Sequence, residues 1–123
     1  MDDRDTIFDL LFEFARQYFD YTAVFIVHGE VAEGRDAFGD GAPRDKVARV
    51  GVPLDLPSIL ASSRDKKMAL QRVPSQDGLD AVLMNDLGRS GKTLCVVLPV
   101  IVRTRVVALL LGDGGDTGVD AAT

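Results

Sequence analysis

A chain of 123 residues, 46% apolar and 27% charged, is sized for one domain around a single core, which excludes a multidomain enzyme within these residues. Nineteen acidic against fourteen basic side chains give a net charge of −5, so long-range electrostatics oppose non-specific binding to nucleic acid or an anionic membrane. The single cysteine, Cys95, excludes a disulfide framework, a cysteine-based zinc site and a two-cysteine redox cycle within one chain.

In chain order, the first pattern runs from Thr6 to Phe19. Ile7, Phe8, Leu10, Leu11, Phe12, Phe14, Ala15, Tyr18 and Phe19 recur at helical spacing and cover an arc of roughly 200°. One sheet face needs less than that. Either the helix is sunk deeply into its own core, or its second flank meets a partner chain, with Phe8, Leu11, Phe12, Ala15 and Phe19 as the interface. Before it, Met1-Asp2-Asp3-Arg4-Asp5 is acidic where a secretory signal is basic, and no apolar run reaches the roughly 18 residues that cross a bilayer. A cytoplasmic location is expected.

Thr22–Val27 is β-branched, aromatic and continuously apolar, which suits a central strand covered on both faces. A turn at His28-Gly29-Glu30 leads into a second strand, Val31–Phe38, which Gly34 interrupts, and the two form a hairpin. Val47–Val52 reads as a short third strand. Pro53, Pro57 and Ser58 mark a loop entering a brief helix at Ile59–Ser63, and Met68–Val73 reads as a fourth strand. Leu79–Leu87 is a short helix, with Leu79, Val82, Leu83 and Leu87 on one face and Gly88 where a C-terminal cap belongs.

Leu94–Val102 and Val106–Leu111 are apolar runs separated by Arg103-Thr104-Arg105, the pattern of a hairpin with a basic tip. Pro99 has no N–H to give to a ladder, so a bulge or an unpaired position is expected there. The domain is expected to span residues 1–112, and residues 113–123, rich in glycine and aspartate, to form a flexible tail. The abrupt ending suggests a domain cut from a longer protein.

Little in the chain points to bond-breaking chemistry. Gly88-Arg-Ser-Gly-Lys-Thr93 ends like a phosphate loop, but Asp86 stands where its first glycine belongs, and the order is helix to strand rather than strand to helix. His28 is the only histidine, which excludes a histidine-pair metal site. Asp113, Asp116 and Asp120 lack the spacing and terminal glutamate of a calcium loop. No catalytic residue, metal or cofactor is expected. The cations Arg64, Lys66, Lys67, Arg72, Arg89, Lys92, Arg103 and Arg105 are candidates to converge on one end of the sheet around a small anion. Arg64, Arg72, Arg89 and Lys92 are the ligand candidates among them.

The order of elements over nearly the whole chain, and the closing hairpin Leu98-Pro99-Val100-Ile101-Val102-Arg103-Thr104-Arg105-Val106-Val107-Ala108-Leu109-Leu110-Leu111, resemble the GAF domain family. The resemblance implies an α+β, profilin-like fold: a central antiparallel sheet with helices on both faces. The first helix would cover one face, and the loop-and-helix insert would roof a cavity in which relatives bind cyclic nucleotides, tetrapyrroles or small metabolites. The asparagine-lysine-phenylalanine-aspartate-glutamate signature of cyclic-nucleotide relatives is absent, Asn85-Asp86 being its nearest trace, and the family's last helix has no counterpart here. Cys95 falls in a core strand, away from the role of a bilin attachment site.

The expectation is a non-catalytic regulatory module that senses a small molecule, or that dimerises or docks to neighbouring domains of a longer chain. The alternative is a degenerate domain, its cavity filled by its own side chains, acting only as an assembly surface. A PAS-type sensor shares the sheet and roof, and strand order separates the two. Neither nucleic acid nor membrane is expected as a partner.

Overall fold

The computed structural model describes residues 9, 10, 13 and 18–114. Six strands form one antiparallel sheet: β1 (Tyr21–His28), β2 (Val31–Gly39), β3 (Gly51–Pro53), β4 (Leu70–Arg72), β5 (Cys95–Val102) and β6 (Arg105–Asp113), in the order β3-β2-β1-β6-β5-β4. Three helices lie between β2 and β5: α1 (Arg44–Val47), α2 (Ile59–Lys66) and α3 (Gly78–Asp86).

β1 is central because its sequence is apolar on both faces. Tyr21, Ala23 and Phe25 point into the helical layer, where Leu60, Leu83 and Leu87 meet them, together with Leu109 and Leu111 from β6. Val24 and Ile26 turn the other way into a smaller cluster with Ala108 and Leu110, which Phe19, Phe38, Leu98, Val100 and Val107 flank. Register is therefore pinned, since a slip of one residue would exchange the two apolar sets.

Both expected hairpins form, and several boundaries move for physical reasons. The expected strand Val47–Val52 is divided: Arg44–Val47 is a helical turn, and only Gly51–Pro53 pairs with β2. Pro43 starts that turn by offering its carbonyl to the N–H groups of Lys46 and Val47. The expected strand Met68–Val73 shrinks to Leu70–Arg72, because α2 continues to Lys66 and closes over Lys67, whose φ is +54°. There the Met68 N–H donates to the Ser63 carbonyl, and the Ser63 hydroxyl donates to the Met68 carbonyl. Asp113, read from sequence as the first residue of the tail, is instead the buried last residue of β6. Residues 115–123 lie outside the described residues, as do Phe8, Leu11, Phe12 and Ala15 of the expected interface. Asp9, Leu10 and Glu13 are helical and exposed.

β4 pairs with β5 only over Cys95–Val97, so Pro99 sits where the outer side of β5 has no strand neighbour, and the register shifts at Val100/Ile101. Gly34 interrupts β2 for a definite reason. The β1–β2 register slips at Val24/Phe25, and the Gly34 N–H is given to the Val50 carbonyl rather than to a strand neighbour. A Cβ at position 34 would stand 1.8 Å from the Val47 carbonyl oxygen. Gly34→Ala is accordingly expected to lose at least about 2 kcal/mol of unfolding free energy in urea titration, because rigid backbone must move. Gly51→Ala, whose nearest new neighbour is a Val31 methyl at 3.8 Å, is expected to lose less than about 0.5 kcal/mol.

Candidate functional site

The interior beneath the helical layer is filled. Ile59 and Leu60 of α2 and Leu83 and Met84 of α3 pack directly on the sheet with Leu87, leaving each of these side chains buried. Open space lies instead at the surface of that layer. A cleft of about 450 Å³ runs between the start of α2, the end of β4 and the start of α3. Ser58, Ser62, Ser75, Arg72, Asp77 and Asp80 supply its polar lining, and Pro57, Val73 and Leu79 its apolar walls.

Asp80 organises this cleft. It sits in the first turn of α3 and is 5% exposed, yet its carboxylate serves other segments. Oδ1 accepts from the Ile59 N–H at the start of α2 (2.9 Å), and Oδ2 accepts from the Ser75 N–H (3.1 Å). Ser58 completes the cap of α2, its Oγ accepting from the Ala61 N–H at 3.0 Å. The positive end of α2 is thus answered from within the protein. The Ser75 hydroxyl donates to Asp77 Oδ1 at 2.7 Å. Arg72 is the cation of the cleft; it is exposed, and its Nη2 has one long contact, 3.4 Å to Ser62 Oγ.

The candidate cations do not all converge: Arg64, Lys67, Arg103 and Arg105 lie toward the end of the sheet that carries the β1–β2 turn and the β5–β6 tip, and Arg89 lies at the other end. Arg64 is engaged at the β1–β2 turn: it donates to Glu30 Oε2 (2.9 Å), Asp65 Oδ1 (2.7 Å) and the Leu54 carbonyl (3.1 Å). Arg89 stands at the opposite end of β1, about 23 Å away by strand rise. Its Nε donates to both oxygens of Asp113 at 3.2 and 3.1 Å, its Nη1 to the Asp40 carbonyl, and its guanidinium lies 5.5 Å from the centre of the Tyr21 ring. Only 10% and 3% of the Arg89 and Asp113 side chains are exposed, which makes this a buried ion pair joining the α3–β5 connection to the sheet. Arg89 also borders a smaller cleft of about 170 Å³ beside Gln76, whose amide donates to the Gly91 carbonyl. Lys92 is exposed in the same connection, which leads from a helix into a strand with Gly88 and Gly91 both at φ +69°. Arg103 and Arg105 sit at the tip of the β5–β6 hairpin. Phe19, the described member of the expected interface, lies with its ring against the backbone of Gly112.

Asp80 was legible only as an acidic residue in a helix's first turn; its service to a different helix has no local signature. Nor do the described residues assemble a nucleophile with a base. Cys95 is buried, and burial together with the nearby Asp113 charge pushes its thiol from 9.0 up to about 12, so it stays neutral. His28 meets Glu33 at 3.7 Å with both side chains 60% exposed, a surface pair of little energetic weight. Among the described residues no group of three metal-ligating side chains occurs, and no helix is long and apolar enough to cross a membrane.

No protein-family model matches the chain, and neither does any curated protein. Solved structures do match. A GAF domain/HD domain protein from Geobacter sulfurreducens superposes with a TM-score of 0.64 at 18% identity, over 88% of this chain and 72% of the other. The NreA protein from Staphylococcus aureus, mutated in its nitrate-binding site, gives 0.66 at 12% identity, over 92% of this chain and 86% of the other. The fold is GAF-like: α+β, with an antiparallel six-stranded sheet.

Two outcomes follow from the chemistry of the buried groups. Asp80→Ala strands the Ile59 and Ser75 N–H groups and is expected to lower the unfolding free energy by about 3 kcal/mol in denaturant titration. Alkaline pH acts through Cys95 and Tyr21, the latter raised from 10.0 to about 12 by burial. The folded state keeps two protons that the unfolded chain releases, so their contribution is full below pH 9 and declines as pH climbs toward 12. Thermal melts between pH 8 and 11 should show that decline, and Cys95→Ala should move its onset from near pH 9 to near pH 10, where only Tyr21 remains.

Proposed function

We propose that this chain is a non-catalytic regulatory module that holds a small anionic ligand in the cleft between α2, β4 and α3 and passes its occupancy to attached domains. The observation that carries this reading is the 450 Å³ cleft, a volume suited to a small metabolite, with Arg72 exposed at its wall. One structural neighbour, the NreA protein, has a nitrate-binding site, which supports a small anion as the class to test. One cation faces two carboxylates, Asp77 and Asp80, so the charge balance disfavours a polyphosphate. It favours a singly charged ligand whose acid group meets Arg72 and Ser62 while a donor meets Asp77. The cleft joins two helices, and a ligand that prefers one spacing of α2 and α3 shifts the population of that spacing by its differential affinity.

Dimerisation through Phe8, Leu11, Phe12, Ala15 and Phe19, or docking to neighbouring domains, belongs to the same proposal as its means of output. So does a domain closing after Asp113, with the remaining residues as a tail. One observation favours the alternative of a pure assembly domain: the space beneath the helical layer is occupied by the protein's own Phe25, Leu60, Leu83 and Met84. Calorimetric titration of the intact chain with nitrate, small monocarboxylates, amino acids, cyclic GMP and ATP decides between them. The sensing reading expects a saturable isotherm from a small monoanion, weakened at least tenfold by Arg72→Ala. Binding of none of them would leave assembly as the function.

A further inference from the structure

We infer that the outer end of the β5–β6 hairpin is a docking arm for an acidic, extended segment of a partner protein. β1 pairs with β6 only as far as Ile26↔Ala108, and β4 pairs with β5 only as far as Leu70↔Val97. β5 and β6 nevertheless stay paired with each other out to Val102↔Arg105. The last turn of this hairpin therefore projects as a two-stranded ribbon, with no described strand beside it on either edge.

Exposed apolar side chains and cations meet there. Ile101 and Val102 are 44% and 47% exposed, and Met68, just after the end of α2, is 61% exposed. Around these apolar side chains stand Lys66, Arg103 and Arg105, none of which forms an ion pair among the described residues. Lys67 ties the two parts together by donating from Nζ to the Thr104 carbonyl at 2.6 Å. In a chain of net charge −5 this end is locally cationic, so charge complementarity selects an acidic occupant.

The backbone adds a second argument. The hairpin turns through Arg103 and Thr104 at φ +51° and +71°, a type I′ geometry in which asparagine and glycine are preferred. A β-branched threonine there is strained, so this turn is not the one that local stability alone would select. Pro99 and the cations also blunt the open edge of β5 against another copy of the same chain, which would bring proline and like charges face to face. An incoming acidic strand meets attraction where a second copy meets like charge, and beyond Pro99 it can add main-chain hydrogen bonds along Val100–Val102.

The test uses the intact chain and a fluorescein-labelled ten-residue peptide of alternating glutamate and valine, with the lysine–valine peptide as its counterpart. Anisotropy should report saturable binding of the acidic peptide alone, at least tenfold weaker in 500 mM than in 50 mM salt. Arg103→Glu with Arg105→Glu should abolish it, and Ile101→Ser should weaken it severalfold, circular dichroism confirming that both variants fold. Amide shifts in a nitrogen-15 spectrum should fall on Leu98–Val106. Equal binding of both peptides, binding unmoved by charge reversal, or amide shifts confined to the α2–α3 cleft would overturn the inference. So would failure of the peptide to bind where vesicles with anionic lipid do, or a homodimer in sedimentation that Ile101→Ser dissolves.

Discussion

Much of the architecture around the candidate site depends on one carboxylate serving a helix other than its own. Asp80 belongs to α3, but it satisfies the first N–H of α2 and the N–H of Ser75 in the segment after β4. The Ile59 donor, left without a partner in a buried place, would cost about 1–3 kcal/mol, and the half-buried Ser75 donor less. The carboxylate thereby fixes the spacing of the two helices and the wall of the cleft between them. It also answers the N-terminus of α2, one of the two helix starts that line the cleft, and Arg72 is the cationic side chain of that lining.

The cations divide according to what surrounds them. Arg64 and Arg89 are structural: each is surrounded by carboxylates and carbonyls, one at each end of β1. Both stay fully charged, since the hydrogen bond to Glu30 raises the pKa of Arg64 further and that to Asp113 does the same for Arg89. Arg72, Arg103 and Arg105 form no ion pair among the described residues, and the proposals for ligand and partner rest on that difference. The filled interior follows from the same sequence feature that makes β1 central, its unbroken run of apolar residues. Phe25 and Leu109 share one buried cluster with side chains of α2 and α3, which is why the proposed ligand site lies outside the core.

What could be read from the residues alone tracks the range of the forces involved. The hairpins were legible because alternation, turn glycine and apolar runs act over a few residues, as in Thr22–Val27 and the stretch around Arg103. The apolar face of Leu79–Leu87 and Gly88 after it likewise marked α3 correctly. The failures are contacts between distant segments. Val47 and Val52 bound what reads as one short strand, yet Pro43 turns the first into a helix and β2 recruits the second. Asp113 looks like the opening of a glycine-rich tail until Arg89, 24 positions earlier, draws it into the sheet. The cations could be named but not located, because strand order alone decides which of them share an end.

A nitrogen-15 amide spectrum of the intact chain, followed while a small monoanion is added, tests the central claim most directly. The account predicts saturable shifts at Ser58, Ser62, Arg72 and Ser75, with Phe25, Leu109 and Leu111 beneath the helices unmoved. Shifts centred on those core strands would mean that a ligand enters under the roof and would contradict it.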